Sequence, residues 1–169
     1  MFATKRLGKE LVKMQEHLPP GISIAKADNL DEWQMDIKVL DENPLYLNEI
    51  YRLKFTFGSK YPIEPPEVQF IQSAAQPTAQ PPATPETTAD TKRPIPIHPH
   101  VYSNGIICLD LLSSAGWSPV QTVESVCMSI QSMLTANTKN ERPPGDSDFV
   151  SYNRRRPRDI NFLYDDDNV

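Results

Sequence analysis

The stretch HPHVYSNGIICLD, residues 98–110, places one cysteine a few residues beyond two histidines and an Asn-Gly pair. A cysteine thiolate is a strong nucleophile, and histidine binds metals or exchanges protons near neutral pH. Three interpretations therefore suit Cys108: a metal ligand beside His98 and His100, a catalytic nucleophile, or a buried thiol. Composition slightly favours the buried thiol, because aliphatic residues surround this cysteine.

The sequence does not favour a structural zinc site at this stretch. Such a site needs four ligands, and the chain has neither a Cys-x-x-Cys pair nor a second pair of histidines. We therefore expect no bound metal. The spacing of His98 and His100 does not give the direction of their rings, so a general base beside Cys108 stays an open alternative at this point.

The composition of the whole chain predicts one intracellular domain whose partners are proteins. Its 169 residues suffice for one core, and 17 prolines against 6 glycines indicate that part of the chain does not pack. The net charge of −5 opposes a broad nucleic-acid interface. No segment resembles a signal peptide or a membrane span, so we expect reduced thiols and a location in the cytoplasm, the nucleus or both.

Hydrophobic periodicity predicts the elements that come before this stretch. Apolar residues recur at helical spacing over residues 4–18, and a Pro-Pro pair ends the run. Apolar and polar residues then alternate over residues 33–39, 51–57 and 68–70, which indicates half-buried strands. One helix followed by a strand meander is typical of an α+β fold.

A second amphipathic helix follows the cysteine stretch. Its first residue is expected between positions 118 and 122, with Ser118 or Thr122 as the N-cap. Cys127 lies in its apolar stripe, so we predict that this second cysteine is a packed core thiol.

Two segments lack the composition or the periodicity of a packed element. Residues 72–93 hold four prolines and no aromatic or large aliphatic side chain, which predicts a disordered insertion without an assigned function. The tail from Arg142 shows no sustained period and predicts a solvated, irregular segment. We therefore expect a domain over residues 1–150 and a C-terminal tail over residues 151–169.

Several motifs in this order resemble the ubiquitin-conjugating enzymes. His-Pro, Ser-Asn-Gly and Ile-Cys-Leu-Asp occur within residues 98–110, and Trp-Ser-Pro follows at residues 117–119. KRLGKEL in the first helix and a YPxxPP loop at residues 61–66 complete the set. The resemblance covers residues 4–136 and implies the family fold: an N-terminal helix, a four-stranded antiparallel meander and a central helix. We expect a short irregular C-terminal segment after them.

The resemblance also implies an activity. Cys108 would accept the ubiquitin C-terminus as a thioester from an activating enzyme and pass it to an amine. His98 and Asn104 would support the active-site loop, while Asp110 and Asp146 would border the groove for the amine. No organic cofactor is implied. The implied partners are ubiquitin, the activating enzyme and ligases of the RING or U-box type, with no nucleic acid and no membrane.

In this family, ligases contact the first helix, the YPxxPP loop and the residues after Trp-Ser. The corresponding candidates in this chain are Lys5, Arg6, Ile63, Pro119 and Val120. The two basic residues equally fit an ordinary solvated helix face. Ile63 stands where many members have an aromatic residue, so the apolar anchor of such an interface is smaller here.

His100 stands where most members have asparagine after His-Pro. Together with VESVCMSI and RPPGDSDF, this His-Pro-His resembles the W-type branch, whose members attach ubiquitin to the α-amino group of substrate N-termini. The resemblance therefore predicts transfer to protein N-termini. General lysine-directed conjugation of ubiquitin or a similar modifier, and a non-catalytic ubiquitin-binding role, are the alternatives. His100 either donates a hydrogen bond to the oxyanion or only orders the loop.

Overall fold

The computed structural model describes residues 2–73 and 92–162, which form an α+β fold. In chain order its helices and strands are α1 (Phe2–Glu16), β1 (Ile22–Lys26), β2 (Glu32–Lys38), β3 (Ile50–Thr56), β4 (Glu67–Ile71), α2 (Val123–Thr135) and α3 (Asp146–Tyr152). The four strands pair antiparallel in the order β1-β2-β3-β4, so the predicted meander is confirmed. No helix in these two ranges is long and apolar enough to cross a membrane.

One face of the sheet forms the core, because apolar residues alternate along the central strands. In the β2–β3 register, Trp33 faces Phe55 and Met35 faces Leu53, and all four side chains are buried. The inner stripe of α2 belongs to the same core, including Cys127. Burial raises the pKa of the Cys127 thiol well above its usual range. The prediction that Cys127 is a core thiol is therefore confirmed.

Ser118 and Thr122 were the two predicted N-caps of α2, and the structure shows that Thr122 is the N-cap. Its hydroxyl oxygen accepts the backbone N–H of Ser125 at 3.1 Å, and the Ser125 hydroxyl oxygen accepts the backbone N–H of Thr122 at 2.8 Å. This reciprocal pair satisfies two donors at the start of the helix. Ser118 instead begins a turn, in which its carbonyl accepts the backbone N–H of Gln121.

The C-terminal part differs from the sequence-based expectation. The prediction of a solvated, irregular segment after Arg142 was wrong for part of it, because α3 occupies Asp146–Tyr152 and Ile160 is buried. The helix has seven residues, too few to show a helical period in the sequence. Gly145 precedes it with a φ of 73°, a conformation that glycine adopts readily. The domain boundary at residue 150 stays a prediction, although α3 spans it.

The predicted insertion at residues 72–93 is shorter at both ends than expected. Ser73 and Arg93 exchange two backbone hydrogen bonds, of 3.2 and 3.0 Å. The buried Arg93 side chain also pairs with Asp36 of β2 at 3.2 Å, so residue 93 belongs to the folded body. Composition did not indicate this, because the partner of Arg93 lies far away in the sequence. Residues 74–91 lie outside the described residues, so the rest of this prediction stays untested.

Candidate active site

A tight turn attaches the segment that carries Cys108 to the edge of the sheet. Gly105 has a φ of 90°, and a Cβ atom at this position would overlap the carbonyl of Phe70 in β4. Only glycine fits such a conformation and such a close approach. The Gly105 carbonyl accepts the backbone N–H of Phe70 at 2.9 Å, and the side-chain oxygen of Asn104 accepts that of Ile106 at 3.2 Å. Asn104 therefore stabilises the turn that precedes Cys108.

His98 connects to Cys108 through the backbone of His100. The buried Nδ1 of His98 accepts the His100 N–H at 2.9 Å, and the His100 carbonyl accepts the Cys108 N–H at 2.8 Å. The backbone of Met133 in α2 lies beside the ring of His98. Burial and the neighbouring His100 lower the pKa of His98 to about 4. His98 is therefore neutral at physiological pH, and its ring holds the backbone of His100.

The ring of His100 is exposed to solvent, whereas that of His98 is buried. The ring centroids of the two histidines are 5.5 Å apart, and only the His98 ring is buried. The His100 side chain can therefore meet an incoming substrate while its backbone holds Cys108.

Accessibility separates the two cysteines of the chain. Neither is in a disulfide; Cys108 is half-buried, whereas Cys127 is completely enclosed by the core. Formation of a thioester requires that a large protein partner reaches the sulfur. Of the two, Cys108 is the thiol that meets this requirement.

The C-terminal helix lies beside the cysteine segment. Asp146, the first residue of α3, accepts the backbone N–H of Ser103 through Oδ1 at 2.8 Å. The rings of Tyr102 and Phe149 stack with centroids 3.8 Å apart. Burial is the main cause of the raised pKa of Tyr102, and the nearby Cys108 and Asp146 raise this pKa further. The structure therefore places Asp146 beside the active-site segment, and its position at a groove for the amine stays a prediction.

Asp110 occupies a turn directly after the cysteine. It begins a 3₁₀ turn over Asp110–Leu112, is exposed, and accepts the Ser113 hydroxyl at 3.3 Å. Gly116 approaches it so closely that a Cβ atom there would overlap the Asp110 carboxylate. The Asp110 side chain thus helps to fix the turn that leads from Cys108 towards α2.

Sequence reasoning missed three side chains that build this site. Tyr102 and Phe149 form the aromatic contact, and Arg142 reaches from the tail to carbonyl groups on both sides of His-Pro-His. An aromatic residue, Phe149, in an otherwise polar tail was the one sequence feature that could have indicated the contact with Tyr102. For Arg142 the sequence carried no signal. Within the described ranges, no group of three or more His, Cys, Asp or Glu side chains could hold a metal ion.

Residues 6–161 match the family model described as "Ubiquitin-conjugating enzyme". The chain belongs to this family. Ubiquitin-conjugating enzymes are ubiquitin transferases that act through a cysteine thioester intermediate, and the enzyme described here is one of them. The family implies ubiquitin, an activating enzyme and ligases as its partners.

Among the relatives of the enzyme are W-type members. It is 42% identical to the probable ubiquitin-conjugating enzyme E2 W of Dictyostelium discoideum, covering 98% of this chain and 96% of that protein. The ubiquitin-conjugating enzyme E2 W of Caenorhabditis elegans is 35% identical, with 99% and 97% covered. The crystal structure of ubiquitin-conjugating enzyme E2 UbcA1 from Agrocybe aegerita superposes with a TM-score of 0.76 at 36% identity, covering 92% and 98%. The predicted family, its W-type branch and the fold are confirmed.

The segments expected to contact ligases lie together in the enzyme. The Trp117 ring N–H donates to the Pro62 carbonyl at 2.8 Å, which joins the YPxxPP loop to the chain before α2. Arg6 of α1 donates to the Gln121 carbonyl at 2.8 Å. We call the four exposed candidates on these segments the ligase-side surface: Lys5, Ile63, Pro119 and Val120. Arg6 differs from them, because its half-buried guanidinium serves contacts within the enzyme.

A buried carboxylate lies at the junction of these segments. Glu10 of α1 accepts hydrogen bonds from Arg6 Nε at 2.6 Å, the Tyr61 hydroxyl at 2.8 Å and the Val123 backbone N–H at 2.9 Å. Burial and Glu10 together raise the pKa of Tyr61 far above its usual range. Glu10 therefore ties α1 to the YPxxPP loop and to the first turn of α2. No pattern of residues indicates this role of Glu10, because its farthest partner is 113 residues away.

Proposed function

We propose that Cys108 carries ubiquitin as a thioester and that the enzyme transfers it to the α-amino group of substrate N-termini. The observation that supports Cys108 is its accessible position in the segment ordered by His98 and His100. The relatives named E2 W support the choice of this branch of the family. The intracellular location stays part of the proposal.

Two steps at Cys108 make up the proposed reaction. First, its thiolate attacks the thioester carbonyl of ubiquitin on the activating enzyme, whose own thiolate leaves. Second, a neutral amine attacks the carbonyl on Cys108, the Cys108 thiolate leaves, and the excess proton of the amine passes to solvent. The tetrahedral oxyanion of each step needs hydrogen-bond donors. The exposed His100 ring either supplies one or orders the loop around Cys108.

The surroundings of Cys108 favour amines that are already neutral. His98 cannot take a proton near pH 7, because its pKa is about 4 and its Nδ1 accepts the His100 N–H. One carboxylate oxygen of Asp110 and one of Asp146 already accept hydrogen bonds from the enzyme itself. An α-amine has a pKa of about 7.7–8.0 against about 10.4 for lysine, so roughly a few hundred times more of it is neutral at pH 7. The lower basicity also weakens the nucleophile, which offsets part of this gain.

We further propose that RING or U-box ligases dock on the ligase-side surface. Ile63 and Val120 are 73% and 80% exposed, so two apolar side chains of this surface are open to contact with a partner. The hydrogen bonds of Trp117 and Arg6 hold the segments that carry them side by side. The partner of Lys5 would be an acidic or polar group.

A two-part assay tests the proposed function. First, charging with purified activating enzyme and ubiquitin should give a thiol-sensitive conjugate, which Cys108→Ser converts into a thiol-resistant oxyester. Cys127→Ser, which leaves Cys108 intact, is the matched control and should still charge. Continued thioester formation by Cys108→Ser would refute the assignment of Cys108.

Second, the charged enzyme is mixed with a peptide that carries both a free N-terminus and an internal lysine, or with its N-acetylated counterpart. We expect transfer to the free peptide and almost none to the acetylated one at pH 7. Equal transfer to both peptides would leave a general lysine-directed enzyme of the same family.

A further inference from the structure

Arg142 makes a set of contacts around the active-site segment. It lies between α2 and α3, and its side chain is half-buried. One terminal nitrogen, Nη1, donates to the carbonyls of Pro96 at 2.5 Å and Val101 at 3.1 Å. The other, Nη2, donates to the carbonyl of Ile95 at 3.2 Å. The three acceptors lie on both sides of His-Pro-His, so a single guanidinium spans it.

The backbone carbonyls before His-Pro-His depend on hydrogen-bond donors from side chains. Residues 94–99 include three prolines, which have no backbone N–H, so the segment cannot form a regular strand ladder. Its carbonyls must find donors elsewhere. The Tyr46 hydroxyl supplies one to the Ile97 carbonyl at 2.8 Å, and Arg142 supplies those at Ile95 and Pro96 as well as one at Val101, just after the segment. The planar guanidinium suits this task, because it holds five donors in a fixed geometry that lysine lacks.

The position of this segment determines the position of Cys108. His98 accepts the His100 N–H, and His100 accepts the Cys108 N–H, so the hydrogen-bond chain runs from the segment to the cysteine. A shift of the carbonyls at Pro96 and Val101 would therefore move the Cys108 backbone. Displacements of about 1 Å at a reacting group cost up to a hundredfold in rate.

We propose that Arg142 is a positioning residue for ubiquitin transfer: its guanidinium fixes residues 95–101 and, through His100, the placement of Cys108. The inference rests on the proposed role of Cys108 as the acyl carrier. Arg142 acts through the backbone and not on the reacting atoms.

Single-turnover discharge of the charged enzyme onto a peptide amine measures the effect. Arg142→Ala is expected to lower the discharge rate about tenfold or more, with near-normal yield of the charged form. Arg142→Lys should fall between it and the unchanged enzyme, since one ammonium group cannot reach all three carbonyls. Arg154→Ala is the matched control: this exposed arginine follows α3 and donates to the carbonyls of Ser151 and Asn153 at 3.0 Å.

Chemical rescue separates positioning from folding. Millimolar guanidinium ion should restore part of the discharge rate of Arg142→Ala, whereas equimolar sodium chloride should not. Arg154→Ala should respond to neither. Full activity of Arg142→Ala, or an equal loss of charging and discharge without any rescue, would overturn the inference. If the alanine variant does not fold, the lysine variant decides by the same criteria.

A second measurement needs no ubiquitin and therefore does not depend on the proposed function. Amide hydrogen exchange at His98, His100 and Cys108 should accelerate in Arg142→Ala and stay unchanged in Arg154→Ala. Unchanged exchange at these three amides would overturn the inference. A thioester on another residue would refute the role of Cys108, yet the exchange result would still decide whether Arg142 orders this backbone.

Discussion

The Nδ1 atom of His98 accepts the backbone N–H of His100 at 2.9 Å, so a buried imidazole in its neutral form holds the residue that contacts Cys108. Protonation of His98 would remove this acceptor. The active-site segment therefore depends on the protonation state of a buried side chain.

The first prediction concerns the stability of the enzyme in mild acid. The pKa of His98 is lowered to about 4 in the fold from 6.5 in the unfolded chain. Between these values the unfolded chain binds more protons, so the stabilising contribution is complete above pH 6.5 and is lost as the pH falls towards 4. The slope is at most about 1.4 kcal/mol per pH unit. Urea unfolding across this range measures it.

His98→Asn should flatten that part of the pH profile, whereas His17→Asn, a change at an exposed histidine after α1, should not. Identical profiles for the unchanged enzyme and His98→Asn would show that another group causes the pH dependence.

The second prediction concerns selectivity between amines. Raising the pH from 7 to 9 increases the neutral fraction of lysine about a hundredfold, while that of an α-amine saturates after about a sevenfold rise. The preference for α-amines should therefore narrow by about tenfold, measured as discharge onto the free and acetylated peptides. His100→Asn should increase transfer to lysine if the family's asparagine is the missing group. Unchanged selectivity in this variant would assign the preference to substrate binding instead.

The third prediction concerns Glu10. Glu10→Ala leaves three donors without their acceptor and should lower the free energy of unfolding by about 3 kcal/mol, with a smaller loss for Glu10→Gln. Glu16→Ala, at the exposed end of the same helix, should change it by less than about 0.5 kcal/mol. Denaturant unfolding gives both values. Equal stability of the two alanine variants would contradict the central role of Glu10 in this junction.

The fourth prediction concerns the segment between Ser73 and Arg93. Replacing residues 76–89 by a short Gly-Ser linker should leave the charging rate unchanged, because this composition cannot add to a core. Arg93→Ala, by contrast, removes a buried partner of Asp36 and should destabilise the fold by about 1–3 kcal/mol. Slower charging by the shortened, stably folded enzyme would mean that the segment contributes to the activity.

Alternation and capping explain why much of the fold could be predicted from the sequence. β2 and β3 have one buried face, so their apolar residues repeat with period two, and Thr122 lies directly before the apolar stripe of α2. β1 is an edge strand of five residues in which only Ile22 is buried. It therefore shows no alternating pattern, and only the family resemblance predicted it. α3 escaped prediction because it is short and is held by the contact of Phe149 with Tyr102.

Only part of the candidate site could be predicted from the sequence. Residue types limited Cys108 to three interpretations, and the family motifs selected one. Glu10 and Arg142 bind partners that are distant in the sequence. Val123 lies 113 residues from Glu10, and Val101 lies 41 residues from Arg142. Polar side chains carry no periodic signal, so such contacts become visible only in the folded chain.

The hydrogen bonds of Arg6 and Trp117 have a consequence for the kinetics of association at the ligase-side surface. A partner that docks there meets segments already fixed to one another and does not have to order them, which removes one cost of binding. Differences in affinity between partners should therefore arise from contacts to exposed side chains such as Ile63 and Val120. Such differences appear mainly in dissociation rates, so partners of very different affinity would still associate at similar speed.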